Sequence, residues 1–343
     1  IEVIEPVVVP TPDEEDAGPG PTMGVTKDKV MSTSYGGFFS LTGPFEDKIW
    51  AGTYEFKNPD GNDLKSTGDN NGIALKEAQE SIYDLKVIDN VMYISCENAS
   101  GYLWRKKSGQ TVERWKRLSS DSRFESTLGT RKILGKIVTI IGTFNGSKCA
   151  GVYVHNGDSG ERIDLPDATY CFPREIIEFN GSAYIFGYDY KSGYGTYWKS
   201  SDLKSWTKKK INSMQGLRPQ RAKRYKNGFI FGCSPPSRTP PAKLMYSEDL
   251  ENYSVIKSFS EHSHCSGLAV YQDKIYVAAG YGFKSKDTNK PAKVFYYDGE
   301  KWQTMYTFNG EPEAFHCLIY NKALYVATMT HTDSGGRVYK LHN

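Results

Sequence analysis

The chain has 343 residues, 38% of them hydrophobic, with 24 Tyr, 16 Phe, 33 Gly and a formal net charge of +3. That length can bury one large β domain or two ordinary domains. The near absence of Ala-Leu-Glu-rich windows beside so many aromatics and glycines excludes a helical architecture. No run of eighteen apolar residues occurs, so no membrane span is expected.

The first 24 residues, IEVIEPVVVPTPDEEDAGPGPTMG, carry five prolines and six acids with no base, which leaves 34 acids against 43 bases, or +9, for the rest. Such a stretch has little to pack and predicts an extended acidic arm or linker over 1–24, one that fastens the remainder to a larger protein assembly. It contains no apolar segment of signal-peptide type flanked by Lys or Arg.

Residues 25–343 repeat one phrase: an apolar strand, a turn rich in Asn, Asp and Gly, and a second strand. It recurs from Phe45, Ile88, Ile133, Phe179, Tyr225, Tyr271 and Tyr320, at intervals of 43, 45, 46, 46, 46 and 49 residues. After the middle anchors come an aromatic-rich third strand, a turn and a fourth strand, as in GTYWKSSDLKSWTKKKI. Four short strands per forty-odd residues are the content of a propeller blade. The expectation is an all-β, seven-bladed β-propeller of four-stranded antiparallel blades that start near residues 37, 81, 128, 171, 217, 264 and 314. The last copy, GRVYKLHN, lacks a fourth strand, and KDKVMSTSY at about 27–35 is the expected donor, closing the ring with an N-terminal strand.

SSDLKSW (200–206) and SEDLENY (247–253) resemble the Asp-box, or BNR-type, hairpins of sialidases and related propellers, and also the corresponding turns of five-bladed glycosidases. YYDGEKW (296–302) is a looser copy. The family's glycine is replaced here by Ser205 or Asn252. The resemblance implies turn-building roles for Ser200, Asp202, Asp249 and Asp298 at the blade periphery, away from any catalytic centre.

Site candidates therefore lie on the inner strands. The resemblance implies that a sialidase-like site needs three arginines for the substrate carboxylate, a Tyr with a Glu beside it and an Asp acid, and a glycosidase-like one two carboxylates facing across a pocket. Arg131, Arg174, Arg218 and Arg221 supply charge, with Asp84, Glu175 or Glu178 as acids. His264-Cys265 and His316-Cys317 open consecutive inner strands, but their offsets from the anchor tyrosines differ by three residues, which argues against a shared metal. The six cysteines form no Cys-x-x-Cys pair; a contact or disulfide between Cys265 and Cys317 is one alternative. No cofactor is expected. Lys208, Lys209 and Lys210 with Arg218, Arg221, Lys223 and Arg224 form the densest basic run, a candidate for an anionic glycan; a solvated surface is the commoner role of such runs, and nucleic acid is not expected. Asn98, Asn145, Asn180 and Asn252 head Asn-x-Ser sequons.

At fold level the chain resembles propellers of phage tails and of secreted or cell-surface proteins. That resemblance implies a non-catalytic binding or assembly module of a virion or cell surface, with extracellular, surface or virion placement. A sialidase-like glycoside hydrolase and a lectin are the alternatives.

Overall fold

The computed structural model describes residues 20–33, 36–54, 62–75, 81–97, 101–118, 125–143, 150–281, 290–330 and 335–343. Most of the acidic arm, Cys149 and the sequons at Asn98 and Asn145 lie outside them. Among the described residues there are 28 strands in five antiparallel sheets, and no helix long and apolar enough to cross a membrane.

Four sheets hold four consecutive strands each, in sequence order. The twelve-stranded fifth sheet contains β1 (Thr26–Ser32), β2 (Gly37–Phe45), β3 (Lys48–Tyr54), β4 (Asn62–Ser66), β5 (Asp69–Leu75), β6 (Ser81–Ile88), β7 (Val91–Glu97), β8 (Tyr102–Lys107) and β9 (Glu113–Arg117). The simple sheets are β10 (Glu125–Ile133) to β13 (Ser159–Asp164), with β11 (Lys136–Thr143) and β12 (Gly151–Asn156) between; β14 (Cys171–Phe179), β15 (Ser182–Asp189), β16 (Tyr194–Ser200) and β17 (Thr207–Gln215); β18 (Arg218–Tyr225), β19 (Gly228–Ser234), β20 (Ala242–Ser247) and β21 (Ser254–Phe259); and β22 (His264–Tyr271), β23 (Lys274–Gly280), β24 (Ala292–Tyr297) and β25 (Trp302–Phe308). The chain then returns to the large sheet with β26 (Glu313–Tyr320), β27 (Ala323–Met329) and β28 (Arg337–His342). Its three portions are joined by single-residue pairings, Gly37 with Met329 and Tyr54 with Ser81. A Cβ on Gly37 would fall 2.5 Å from the Met329 Cα, so the backbones touch where the last strands meet the first.

The repeated phrase is a hairpin. Its turn residues take positive φ, as at Asp89-Asn90, Asn180-Gly181 and Gln272-Asp273, the conformation that matches the twist of the flanking strands. The second strands are sandwiched on both faces: β19 and β27 are buried throughout. Apolar side chains form clusters between successive four-strand units. Phe259 and Leu244 meet Leu268 and Val277 across one such interface. Another brings Met31, Ala327 and Val338 of the terminal strands against Phe38, Leu41 and Ile49.

β1 runs antiparallel to β28, from Thr26 opposite His342 to Ser32 opposite Arg337. Just before it, Tyr276 Oη donates to the Pro21 carbonyl at 2.9 Å, and the Thr22 N–H donates to Asn343 Oδ1 at 3.1 Å. Residues 20–22 thus pack on the body, whereas the sequence predicts an unpacked arm to residue 24; the difference comes from Tyr271 and Tyr276, against which Gly20 and Pro21 lie.

Between third and fourth strands, Asp202 Oδ1 accepts the N–H groups of Lys204 and Ser205, each at 2.8 Å, and the Ser200 hydroxyl at 2.9 Å. Asp249 accepts those of Glu251 and Asn252, and Asp298 those of Glu300 and Lys301. Trp206 Nε1 and Tyr253 Oη each fold back to the carbonyl three residues earlier. The hydrogen bonds to the first two carboxylates hold them at a pKa of about 2.

Candidate functional site at the convergence of the inner strands

Each first strand carries a β-bulge at one equivalent position. The residues left out of register are Phe39, Tyr83, Leu128, Arg174, Gln220, Phe315 and, in β22, Cys265-Ser266. A bulge re-aims a side chain out of the strand's alternation. Phe39, Tyr83, Leu128, Arg174, Gln220, Ser266 and Phe315 all line one small cavity of about 10 Å³, room for about one water molecule. Phe39 stacks on Phe315 at 4.8 Å and lies 5.0 Å from Tyr83, while the Arg174 guanidinium sits 4.8 Å over the Tyr83 ring. Side chains from seven strands therefore meet around this one cavity.

On the C-terminal side of the bulges is an ion-pair network. Buried Asp84 receives Arg131 Nη1 at 2.5 Å on one oxygen and Arg221 Nη1 at 2.9 Å on the other, and Arg131 Nη2 reaches Glu175 at 2.9 Å. Burial alone would raise the Asp84 pKa, but the two guanidinium groups bring it below the ordinary carboxylate value. Burial likewise opposes the charge on Arg131, and Asp84 and Glu175 outweigh it. His316 faces this network: its Nδ1 accepts the Leu41 N–H at 2.7 Å, and burial, reinforced by Arg221, Lys223, Arg131 and Lys86, keeps it neutral.

The N-terminal side of the bulges has a different character. Arg174 is 8% exposed; one amino group donates to Gln220 Oε1, and Arg218 Nη1 donates to Tyr190 Oη at 3.2 Å. Among the described residues no carboxylate lies within ion-pair distance of Arg174 or Arg218. Arg174 Nε, Arg218 Nε and Gln220 Nε2 are buried donors without an acceptor. Burial, and then Arg218, pushes the Arg174 pKa well below its usual value. Burial followed by Arg218, Arg174 and Arg238 does the same to His264. Arg238, in the loop between β19 and β20, belongs to this cluster and feels Arg218, Tyr54, Glu313 and Tyr190. Glu313 is fully buried, and burial raises its pKa well above the carboxylate range, with Arg238 opposing.

The seven candidates named from the sequence thus divide. Asp84, Arg131 and Arg221 join with Glu175 in the ion-pair network, and His316 adjoins it. Arg174, Arg218 and His264 form a second group, on the N-terminal side of the bulges. Glu178 lies apart, accepting the Leu134 N–H at 2.6 Å. Arg238, Gln220, Tyr190 and Glu313 were missed, because the first and third sit in loops and the other two carry no motif; the constant spacing of the bulged residues is the signal that would have found Gln220. The basic run does not form one patch: β17 is the outermost strand of its sheet and β18 the innermost of the next, and Lys208 and Lys209 pair with Asp189 and Glu251.

Cys265 and Cys317 are free thiols, each pushed up to about 12 by burial. Cys265 Sγ lies 3.2 Å from the Lys243 carbonyl and Cys317 Sγ 3.9 Å from that of Tyr276, so strand alternation turns both away from the histidines. Among the described residues no group of three His, Cys, Asp or Glu is placed to hold a metal ion.

No protein-family model matches the chain, and no curated protein matches it. Solved structures do match in fold. The extracellular domain of a one component system from B. thetaiotaomicron aligns at a TM-score of 0.58 and 13% identity over 91% of this chain and 39% of its own length. A Trypanosoma rangeli sialidase mutant displaying trans-sialidase activity aligns at 0.52 and 12% over 94% and 59%, and a Lactobacillus plantarum protein at 0.53 and 12% over 90% and 89%. The chain thus spans less than two thirds of the first two. These likenesses show an all-β, propeller-like fold, shared with a sialidase and with the extracellular domain of a one component system.

Proposed function

We propose that the chain is a seven-bladed propeller, its ring closed by β1, that acts as a binding module outside the cell, at a cell surface or on a virion, and takes an acidic saccharide at the arginine-lined end of its axis. Three things support the ring: the β1–β28 pairing, the recurring bulges, and the apolar cluster joining the terminal strands to the first unit. The Asp202 and Asp249 turns read as Asp-box-like hairpins, and the acidic arm tethers the module to its assembly.

The observation that carries the ligand reading is Arg174: a buried guanidinium with an orphaned donor, pressed by Arg218 and Arg221, offset only in part by Glu175, and with no carboxylate within ion-pair distance among the described residues. A carboxylate or sulfate arriving there gains charge-assisted hydrogen bonds and relieves like-charge repulsion. The hydrolase reading requires two carboxylates facing one pocket. Asp84 and Glu175 are engaged by arginines, and Glu313 is sealed from solvent, so the geometry favours binding over turnover.

A glycan array followed by calorimetry tests this. Acidic glycans bind and neutral ones do not, affinity falls with added salt, and Arg174→Gln weakens binding at least about tenfold while leaving the fold intact or firmer. Equal binding by the variant, or turnover of fluorogenic glycosides, would overturn the proposal.

A further inference from the structure

The opposite end, where the inner strands run into their hairpin turns, is basic. Between the bulges and those turns the first strands carry six bases against three acids. Arg131 and Arg221 are held there by Asp84 and Glu175. Lys86 stands two residues after Asp84 and Lys223 two after Arg221, so strand alternation puts each lysine on the same face as its predecessor and nearer the turns. Lys86 is exposed and Lys223 half-buried, and both act on His316 together with the two arginines. Among the described residues no carboxylate lies within ion-pair distance of Lys223.

The N-terminal segment reaches the body at this same end. Thr26 opens β1, the edge strand of the large sheet, opposite His342. Followed backwards from there, Thr22 meets Asn343, Pro21 accepts from Tyr276 of β23, and Gly20 lies against Tyr271, the last residue of β22. Gly20 and Pro21 are both buried. The chain is therefore anchored inward of the sheet edge, on the side where the inner strands end. Asp13, Glu14, Glu15 and Asp16 precede this anchor, four consecutive acids in a stretch of 24 residues without a base. An extended chain covers at most about 3.3–3.6 Å per residue, so Asp16 can lie up to about 14 Å from Gly20 and Asp13 up to about 25 Å.

We propose that the acidic stretch Asp13-Glu14-Glu15-Asp16 docks on the basic end of the axis of its own chain, its carboxylates meeting Lys86 and Lys223 beside Arg131 and Arg221. The anchor at residues 20–21 favours the same chain over a second copy, because a tether of a few residues holds the acids at an effective concentration on the order of millimolar. The contact is open to water, so salt screens it, and it depends on several charges acting together. Whatever residues 1–12 attach to is then met from the end of the axis opposite Arg174, which leaves the arginine-lined end facing away. The inference is independent of the saccharide reading, since it uses none of Arg174, Arg218 or His264.

Carbodiimide coupling of the full chain tests this, because it joins carboxylates to amines in direct contact. Peptide mapping by mass spectrometry on an equal mixture of isotopically heavy and light chains separates links within a chain from links between chains. The exposed Lys209 and Glu251 pair, 3.2 Å apart, couples in every sample and serves as the internal standard. Links from residues 13–16 to Lys86 or Lys223 of the same chain are expected. Their yield should fall several-fold between about 0.01 M and about 1 M salt, as the Debye length shrinks from about 30 Å to about 3 Å. Replacing the four acids by their amides (Asp13→Asn, Glu14→Gln, Glu15→Gln, Asp16→Asn) abolishes the links and leaves the standard. Links only between heavy and light chains, links spread over other surface lysines, a yield indifferent to salt, or no link while the standard couples would each overturn the proposal. Glycan binding at Arg174 is untouched by any of these outcomes.

Discussion

Asp84→Asn is the most informative single change to the inner network. Asp84 is buried: Arg131 from β10 donates to Oδ2 and, at 3.5 Å, to Oδ1, which also takes Arg221 from β18, 137 residues away along the chain. Removing one partner of a buried ion pair costs about 3–5 kcal/mol, because the remaining charge stays buried and unpaired. Arg131 retains Glu175, whereas Arg221 loses its one carboxylate among the described residues. The lower end, about 3 kcal/mol, is therefore expected. Urea denaturation followed by tryptophan fluorescence should give a lowered midpoint with an unchanged slope. Adding Arg221→Met, which removes the stranded charge, should recover part of the loss. A loss below about 1 kcal/mol, in the range of ordinary surface substitutions, would refute the idea that this carboxylate ties the inner strands together.

Met31, 1% exposed on β1, packs with Ala327 and Val338, and Met31→Ala should cost about 2–4 kcal/mol in the same assay. His155 and His262 are buried and held at a pKa of about 4, chiefly by desolvation, against 6.5 when exposed. Because the unfolded chain takes up these protons first, the stability is complete above pH 6.5 and lost as pH falls towards 4, up to about 3 kcal/mol per histidine. Thermal melts from pH 7 to 4 should show that decline, and replacing both with Phe should flatten it. Cys96, Cys233, Cys265 and Cys317, all buried with raised pKa, should resist a thiol reagent in the native protein and react together once urea unfolds it.

The strand pattern was legible because each hairpin turn needs residues that tolerate positive φ, which fixed Asp89-Asn90 and Asn180-Gly181 at readable intervals. Asp202 and Asp249 were legible for the same local reason, since a carboxylate two residues before backbone N–H groups organises a turn wherever it sits. The grouping of the arginines was not. Arg218 and Arg221 are three residues apart yet serve opposite sides of the bulge at Gln220, because one unpaired residue reverses the strand's alternation. Arg238 lay hidden in SPPSRTPPAK, a loop without periodicity, and its place depends on contacts from distant strands.

The stoppered axis has a consequence for traffic. In the proposed ring, side chains from seven inner strands, one of them the aliphatic Leu128, meet around a void with room for about one water molecule, which packs the hub instead of leaving it open. Under that proposal a ligand would leave by the rim it entered, and a long polymer would lie across the rim instead of threading the hub.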